Sequence, residues 1–463
     1  MRVQNFPFTH CQFGVAVRDV TPPVGIYTRS WGAAKHDTAD GVHRPHLAAA
    51  ALFQPIAVDE PLLALVALDI GWFQNLQDER DIRDALMQRT GLSEDRLLVN
   101  MSHTHGSVNA NSTLTERPGG NLIKPYLARL ADQIGEAVLE AQRSMAPAWI
   151  AWGYGRCALA QNRDYWDSEA QAWACGYNPE RTADDTLLVA RVSDDAGRVQ
   201  ATVFNYACHP TTLAWQNHLL SPDFVGAARD VLQSAFGAPA LFLQGAEGDV
   251  APRDNYVGDA AVADRNGRQL GYAAAAAIEG LPPAGSKFVY TGIMPSGADL
   301  GTWAYQALDA GEQASCEQLA VSQLSVDLAR KEFPSQAELQ AAHDAAPTAR
   351  EREIRLRRML LHRALGPDAV HHMPVWVWRL GDAALVAIPN EPYSVVQQVL
   401  REQFFETPVA VLGVTNGTYG YLPPLEIYGT GIYQEWQSPY KPGCMEKVIE
   451  AAANGVADVM AEG

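Results

Sequence analysis

Short apolar runs alternate with polar or glycine-rich loops from Phe13 to about Val289. Short apolar runs bounded by turn residues predict buried strands, and the longer amphipathic stretches between them predict helices. We therefore expect strands at residues 48–53, 62–70, 97–101, 187–192, 203–207 and 240–243. Helices are expected at 78–90, 125–144 and 224–236. This order of elements indicates an α/β fold, with mixed β-sheets in layers covered by outer helices.

The pattern changes in the last third of the chain. Residues 319–331 and 336–365 are rich in Ala, Glu, Arg, Gln and Leu and lack glycine, which predicts a pair of helices. The second segment is so charged that we expect its arginines to face solvent. Further strands are expected at 375–380, 384–388 and 409–414, and further helices at 392–403 and 445–460. Because no repeat or low-complexity tract interrupts the pattern, we predict one domain over residues 1–463 with a helical insertion at about 312–366.

The composition restricts the partners of the protein more than its fold. A chain of 463 residues with 47% hydrophobic and 19% charged residues is typical of a globular enzyme. The net charge of −18 argues against nucleic acid or an anionic membrane surface as partner, so we expect a small-molecule substrate. The N-terminal residues show no secretory signal and no apolar run is long enough to span a bilayer, so we expect a cytoplasmic protein without stable membrane insertion. The six cysteines form no CxxC pair, which favours reduced thiols.

The segment LLVNMSHTHGSV contains two histidines, His103 and His105, directly after the predicted strand at 97–101. On extended backbone, residues two apart point to the same side of a strand. Imidazole is a common zinc ligand and also acts as a general base near pH 7. The pair is equally compatible with one buried, hydrogen-bonded histidine beside an exposed one. Partners elsewhere in the chain must decide between these interpretations.

Four further segments place polar residues after a predicted strand or in a glycine-rich loop. The candidates are His209 in FNYACHPTTL, Glu391 in LVAIPNEPYSV, Tyr419 and Tyr421 in VLGVTNGTYGYLPP, and Glu247 and Asp249 in LFLQGAEGDVAPR. Together with the histidine pair they supply nitrogen and oxygen ligands of the kind that zinc takes in catalytic sites.

These segments resemble the catalytic domain of the neutral/alkaline (non-lysosomal) ceramidase family. That family carries a THTHSGP-like segment, an FxxHP-like segment, a GDVSP-like loop, a VPGE-like segment and a late YxxY segment. Other stretches similar to the family are FGVAVRDVTPP, GVHRPHLAAAALF, VALDIGW, CALAQNRDYW and DDTLLVARV. The similarity runs from Phe13 to about Ala453, and it implies the fold of the family and a catalytic zinc site.

The resemblance also implies roles for individual residues. The metal ligands that it implies are His103, His209, Glu391 and Tyr421, with Tyr419 as the alternative to Tyr421. These ligands imply one Zn²⁺ per chain, although nitrogen and oxygen donors also suit manganese or iron. The residues that match positions around the scissile amide are His105, Arg163 and Tyr433. Asp249 could orient a metal-bound histidine.

The chain departs from the family pattern in four ways. Ala251 stands where the GDVSP loop of the family has its serine, and SHTHGSV replaces THTHSGP. A C-terminal immunoglobulin-like domain and a secretion signal are not evident. These differences argue against ceramide, a long-chain membrane lipid, as the substrate. We expect instead that metal-activated water attacks an amide or ester bond of a small soluble substrate, without an acyl-enzyme.

Two other functions stay open on the sequence. Aromatic residues near the expected site favour a carbohydrate or polyol derivative as substrate; they are Trp31, Trp72, Trp166, Trp173, Trp215, Tyr433 and Trp436. Loss of the serine would also fit a ligand-binding homologue that is catalytically inactive. In a homo-oligomer, the charged segment at 351–365 could contact another subunit.

Overall fold

Most of the expected elements recur in a computed structural model, which describes residues 2–57 and 62–461, the side chains of residues 349 and 350 excepted. The strands are β1 Val3–Gln4, β2 Phe8–Asp19, β3 Gly41–Val42, β4 Leu47–Gln54, β5 Leu63–Leu68, β6 Leu97–Met101, β7 Ala146–Arg156, β8 Ala160–Asn162, β9 Asp164–Asp167, β10 Ala172–Cys175, β11 Thr186–Ser193, β12 Val199–Tyr206, β13 Leu219–Leu220, β14 Ala240–Gln244, β15 Val250–Pro252, β16 Ser286–Pro295, β17 Asp299–Ala307, β18 Leu319–Ala329, β19 Val370–Leu380, β20 Ala383–Ala387, β21 Glu391–Pro392, β22 Val409–Leu412 and β23 Tyr421–Leu422. The helices are α1 Leu76–Thr90, α2 Ile123–Arg143, α3 Phe224–Phe236, α4 Ala260–Glu279, α5 Ala310–Cys316, α6 Gln336–Asp344, α7 Ala349–Leu365, α8 Val395–Gln403, α9 Tyr433–Gln437 and α10 Cys444–Ala461. None of the helices in this described part is long and apolar enough to cross a membrane.

The expected helix at 319–331 is wrong, because this segment forms strand β18. Its composition suits a helix, but its apolar residues alternate between two faces. Leu319 and Val321 pack on one side, and Val326 and Leu328 on the other. The strand pairs along its whole length with β19, so tertiary pairing overrides the helix propensity. The insertion at 312–366 is therefore only partly helical, with α6 and α7 after the strand.

The largest sheet is covered on both faces. Its eight strands run in the order β14-β12-β11-β7-β2-β4-β5-β6. In β4, Ala50 and Leu52 face the helices α1 and α2, whereas Ala51 and Phe53 face a second sheet. Helices α3 and α4 cover the other half of the outer face. The near-continuous apolar runs seen in the sequence follow from this double burial.

The second sheet has four strands in the order β18-β19-β20-β22. In β19, Trp376 and Trp378 are fully buried against the large sheet, and Val375 and Val377 face the opposite side. That side is covered by α8 and α10. The molecule thus has four layers, helices on sheet on sheet on helices, and the expected α/β class is confirmed.

Two buried asparagines of the large sheet donate hydrogen bonds to residues in β22 and directly after it. Asn100 Nδ2 donates to the Gly413 carbonyl at 2.8 Å and to Thr415 Oγ1 at 2.9 Å. Asn205 Nδ2 donates to the Val411 carbonyl at 2.8 Å. Buried amide groups satisfied in this way fix the position of one sheet on the other. The loops that follow β6, β12, β20 and β22 consequently meet in one place.

Candidate metal centre

Two histidines lie where the loops after β6, β12, β20 and β22 meet, and both have the same tautomer. His103 Nδ1 lies 2.9 Å from the Gly71 carbonyl oxygen, and His209 Nδ1 lies 2.8 Å from the Glu247 carbonyl oxygen. Because a carbonyl oxygen only accepts, both Nδ1 atoms carry the proton and both Nε2 atoms keep a free lone pair. Burial, assisted by Arg163, lowers the pKa of His209 to about 3, so its ring is neutral. Neutral imidazole is the form that binds metal.

The backbone at His103 differs from the extended strand assumed in the sequence analysis. Strand β6 ends at Met101, and His103 has a φ of 65°, in the left-handed region that non-glycine residues rarely adopt. Its amide donates to the Ile70 carbonyl at 3.0 Å, which holds this conformation. The rings of His103 and His105 still lie 5.1 Å apart between centroids. Backbone held in an uncommon conformation by its surroundings is frequent at functional sites.

Glu391 and Tyr421 complete a group of four donor atoms. Glu391 Oε2 lies 3.4 Å from His103 Nε2 and 3.2 Å from His209 Nε2. Tyr421 Oη lies 3.4 Å from His209 Nε2. With bonds of about 2.1 Å to zinc, the ligands of a tetrahedral site lie about 3.4 Å apart, so these spacings suit a cation of that size. A buried carboxylate that faces two imidazole lone pairs also needs a cation between them, so the residues fit a metal ion.

Of the two tyrosines proposed for the fourth position, Tyr421 is the one that faces the group. Tyr419 packs in the core instead, with its ring 4.6 Å from that of His371. Arg163 Nη2 donates to Tyr421 Oη at 3.0 Å and to the Gly248 carbonyl at 2.8 Å. Burial raises the pKa of Tyr421 well above its ordinary value, and Arg163 opposes that shift. Arg163 therefore orients the phenol from behind.

His105 sits beside the donor group without a hydrogen-bond partner. Both ring nitrogens are buried and unpaired among the residues that the structure describes. The ring is flanked by Trp31 and Trp72, at centroid distances of 5.1 and 4.9 Å. Burial and the neighbouring His103 and His209 lower the pKa of His105 well below its ordinary value. A neutral, unpartnered ring at this place is free to accept a proton from a molecule in the site.

Asp249 does not hold a histidine. Its carboxylate accepts hydrogen bonds from the Ser394 amide at 2.6 Å and from Ser394 Oγ at 2.9 Å. Because Ser394 closely follows Glu391, Asp249 fixes the turn that presents Glu391. Burial raises the pKa of Asp249 to about 6. The role expected for Asp249, the orientation of an imidazole, is taken by the backbone carbonyls of Gly71 and Glu247.

A cleft with about 680 Å³ of empty space, its open mouth included, leads to the donor group. Its walls are formed by Trp72, Phe73, Gln74, Leu76, His103, His105, Arg357, Leu361, Glu391, Thr418, Gly420, Tyr421, Tyr433 and Gln437. Tyr433 thus lies on the wall, as expected for a residue that contacts substrate. Arg163 and Ala251 are outside this wall, and Ala251 is buried in β15.

Helix α7 turns two side chains towards this cleft, Arg357 and Leu361. The guanidinium of Arg357 lies over the ring of Trp72 at 5.3 Å. Its Nε donates to Glu353 Oε1 at 3.0 Å and its Nη2 to the Ser30 carbonyl at 2.6 Å. The expectation that the arginines of this segment face solvent is wrong for Arg357, whose side chain is 22% exposed.

Sequence reasoning therefore missed the place of Arg357, and it counted Glu247 among the candidate residues without giving it a role of its own. The Glu247 carboxylate belongs to a buried group with His103, His209 and Glu391 that could hold a metal ion. The signal for Glu247 was present, since it stands two residues before Asp249 in the same glycine-rich loop. For Arg357 no local signal existed, because only the tertiary packing of α7 brings it to the cleft.

Comparisons with known proteins agree with this fold. The family described as "Neutral/alkaline non-lysosomal ceramidase, N-terminal" matches residues 11–265 of this chain. Neutral ceramidase A of Dictyostelium discoideum is 26% identical over 266 residues, which are 52% of this chain and 36% of that protein. The chain thus spans about a third of the length of that relative. The crystal structure of neutral ceramidase from Pseudomonas aeruginosa has a TM-score of 0.67 and 15% identity, over 98% of this chain and 75% of that one. A ceramidase complexed with C2 has a TM-score of 0.66 and 16% identity.

The layered α/β fold places a buried group of histidines and glutamates at its strand ends, and this group could hold a metal ion. The sequence match covers more than half of the chain. The chain therefore belongs to the neutral/alkaline non-lysosomal ceramidase family, as the motifs in its sequence indicated.

Proposed function

We propose that this protein is a zinc-dependent hydrolase that cleaves an amide or ester bond of a small soluble substrate. The observation that carries the proposal is that four donor atoms meet at one end of a cleft: His103 Nε2, His209 Nε2, Glu391 Oε2 and Tyr421 Oη. Glu391 Oε2 lies 3.2–3.4 Å from the two imidazole nitrogens, and Tyr421 Oη lies 3.4 Å from His209 Nε2. Zinc bound there would lower the pKa of a water molecule and polarise the scissile carbonyl.

The side chains around the donor group have distinct tasks in this reaction. His105 accepts a proton from the attacking water and passes it to the leaving nitrogen or oxygen. The water oxygen bonds to the carbonyl carbon as the C–N or C–O bond breaks, so the products are a carboxylic acid and an amine or alcohol. Tyr433, on the cleft wall, donates a hydrogen bond to the carbonyl oxygen as negative charge develops on it.

The attack by water follows from the residue at position 251. Ala251 carries no hydroxyl group and is buried away from the cleft. No covalent acyl-enzyme can therefore form at this position. Arg163 keeps Tyr421 in place through the hydrogen bond at 3.0 Å, and Asp249 keeps Glu391 in place through Ser394.

The walls of the cleft favour a small substrate. Leu361 and Arg357 from α7 cover one side, and Trp72 lies between Arg357 and the two histidines. An amide with short substituents fits this geometry better than a long-chain lipid. We also propose one domain for residues 1–463, because the apolar layer between the sheets joins strands from both halves of the chain. The cytoplasmic location and an oligomeric contact through residues 351–365 stay predictions.

A carbohydrate or polyol amide is the second candidate, favoured by the aromatic rings beside His105. Trp31 lies 6.1 Å from Trp215 and 5.8 Å from Tyr256 between ring centroids, next to the same histidine. Such rings stack well on sugar faces. An inactive binding protein is disfavoured, because it would not need an unpartnered imidazole beside the metal ligands.

The proposal is tested by metal analysis and substrate screening of the same preparations. The wild-type protein should contain about one zinc per chain, and the His209→Ala variant should lose it. The wild-type protein should then hydrolyse members of a panel of short N-acyl amides, short esters and N-acetyl sugars, and a chelator should stop the reaction. Absence of stoichiometric metal after zinc is supplied would refute the proposal.

A further inference from the structure

We propose that Glu247 is a fifth protein ligand of the metal centre and closes its inner side. The inference rests on the proposed metal site, to which it adds a donor. It changes the expected coordination, and with it the choice of metal.

Glu247 is a carboxyl group that is buried without a side-chain partner among the described residues. It is 0% exposed, and neither carboxylate oxygen has a hydrogen-bond partner among the described residues. The charge of Arg163 acts on Glu247, but the hydrogen bonds of that guanidinium go to Gly248 and Tyr421. A buried carboxylate is tolerated when it is paired or when it binds a metal. The unpaired oxygens of Glu247 are therefore available to a cation held by the same group of residues.

The distances allow that cation to be the one held by the other ligands. One oxygen of Glu247 lies within 4.8 Å of the ligand atoms of His103, His209 and Glu391. With metal–ligand bonds of about 2.1 Å, opposite donors of an octahedral site are about 4.2 Å apart. Glu247 can lie opposite only one donor, and its other neighbours would then be about 3.0 Å away, so its side chain would move towards them on binding.

The backbone fixes Glu247 in this place. Its carbonyl oxygen accepts the proton of His209 Nδ1 at 2.8 Å, so the loop that carries Glu247 is bound directly to a ligand of the site. On the other side, a Cβ atom at Gly413 would lie 2.7 Å from Glu247 Oε2 and 2.4 Å from the Gly245 carbonyl oxygen. The glycine is therefore required where the carboxylate lies against the backbone. The carboxylate has little room to turn away from the donor group.

Glu247 and His209 do not belong to the cleft wall, whereas His103, Glu391 and Tyr421 do. Glu247 thus approaches the site from the inside and leaves the cleft side open for water and substrate. With Glu247, a bound metal would have five protein donors, three of them oxygens, and one open position. A four-donor site is typical of zinc, and a site with more oxygen donors is more favourable for manganese or iron. We infer that Glu247 raises the affinity for Mn²⁺ more than the affinity for Zn²⁺.

The test is the affinity of the full chain for Zn²⁺ and for Mn²⁺, measured by competition with a chromophoric chelator. Glu247→Gln should weaken Mn²⁺ binding by about 100-fold and Zn²⁺ binding by about 10-fold, within the range known for changes around metal ligands. Glu79→Gln is the matched control, since it makes the same exchange at a buried carboxylate that is paired with Arg83 at 2.8 Å and lies outside the donor group. It should change neither affinity by more than about threefold.

Thermal unfolding gives a second readout that a purely structural role would not produce. Metal should raise the melting temperature of the wild type more than that of Glu247→Gln, because a ligand that binds more tightly stabilises the fold more. Equal affinities and an equal rise in melting temperature, or a control that weakens binding as much as Glu247→Gln, would overturn the inference. If the wild type bound neither metal, the proposed function itself would fail.

Discussion

His105 provides the sharpest test of the chemistry, through the substitution His105→Asn. Asparagine occupies part of the same volume but cannot accept a proton at pH 7. A general base of this kind contributes about 10²–10⁴ to the rate, which is about 2.7–5.5 kcal/mol at 1.36 kcal/mol per tenfold change. Because neither ring nitrogen has a hydrogen-bond partner, the substitution breaks no hydrogen bond in the described part of the chain. We expect a loss of kcat by at least about 100-fold.

The metal content separates this role from the alternative. His105 also lies in a group with His103 and His209 whose ligand atoms are all within 4.8 Å of one another. If His105 were a ligand, His105→Asn would lose metal together with activity. We expect bound zinc to stay at the wild-type level, measured by inductively coupled plasma mass spectrometry beside kcat on the best amide of the panel. His372→Asn, an exposed histidine of β19, controls for the exchange of residue type. Loss of zinc, or a kcat within about threefold of the wild type, would refute the proton role.

Three further predictions follow from the geometry. Tyr421→Phe should weaken zinc binding by at least about 10-fold, as measured by chelator competition, whereas Tyr419→Phe should leave it unchanged; equal effects would contradict the assignment. Arg357→Met should change KM for a polar substrate more than kcat, because Arg357 lines the cleft and lies outside the donor group; a fall in kcat alone would be inconsistent with this role. His46 is fully buried without ring hydrogen bonds, and burial lowers its pKa to about 4 from an ordinary 6.5. Protonation is therefore disfavoured in the fold, so the free energy of unfolding should fall by about 3 kcal/mol as the pH drops from about 6.5 to about 4. In the His46→Gln variant this part of the pH dependence should be absent when the free energy of unfolding is measured by urea titration at each pH. An unchanged pH dependence would contradict the prediction.

Local pattern was enough to predict several strands and helices of the fold, including the strand that precedes His103. Strand β6 at Leu97–Met101 and helix α3 at Phe224–Phe236 have the predicted bounds, because each is a strongly patterned segment with clear ends. Their neighbours needed only small changes, such as the start of α8 at Val395 instead of 392. Strand β18 was missed because its residues favour a helix, and only the pairing with β19 decides its structure.

The site shows the same division between local and long-range information. The resemblance named His103, His209, Glu391 and Tyr421, and the structure brings all four together. The sequence could not show that Arg163 points at Tyr421 or that Asp249 binds Ser394, because these contacts join segments far apart in the chain. Side-chain direction in loops depends on what packs against them, and it cannot be read from spacing alone.

The distribution of the ligands over the two sheets has a consequence for folding kinetics. His103 and His209 follow strands of the eight-stranded sheet, whereas Glu391 and Tyr421 follow strands of the four-stranded sheet. His209 and Tyr421 are 212 residues apart in the chain. Contacts of such long range form late, because a large loop must close first. In a chain whose sheets have folded but not yet docked, the ligands are divided between two separate sheets. Tight metal binding should therefore occur only in the last step of folding and can be used to time that step.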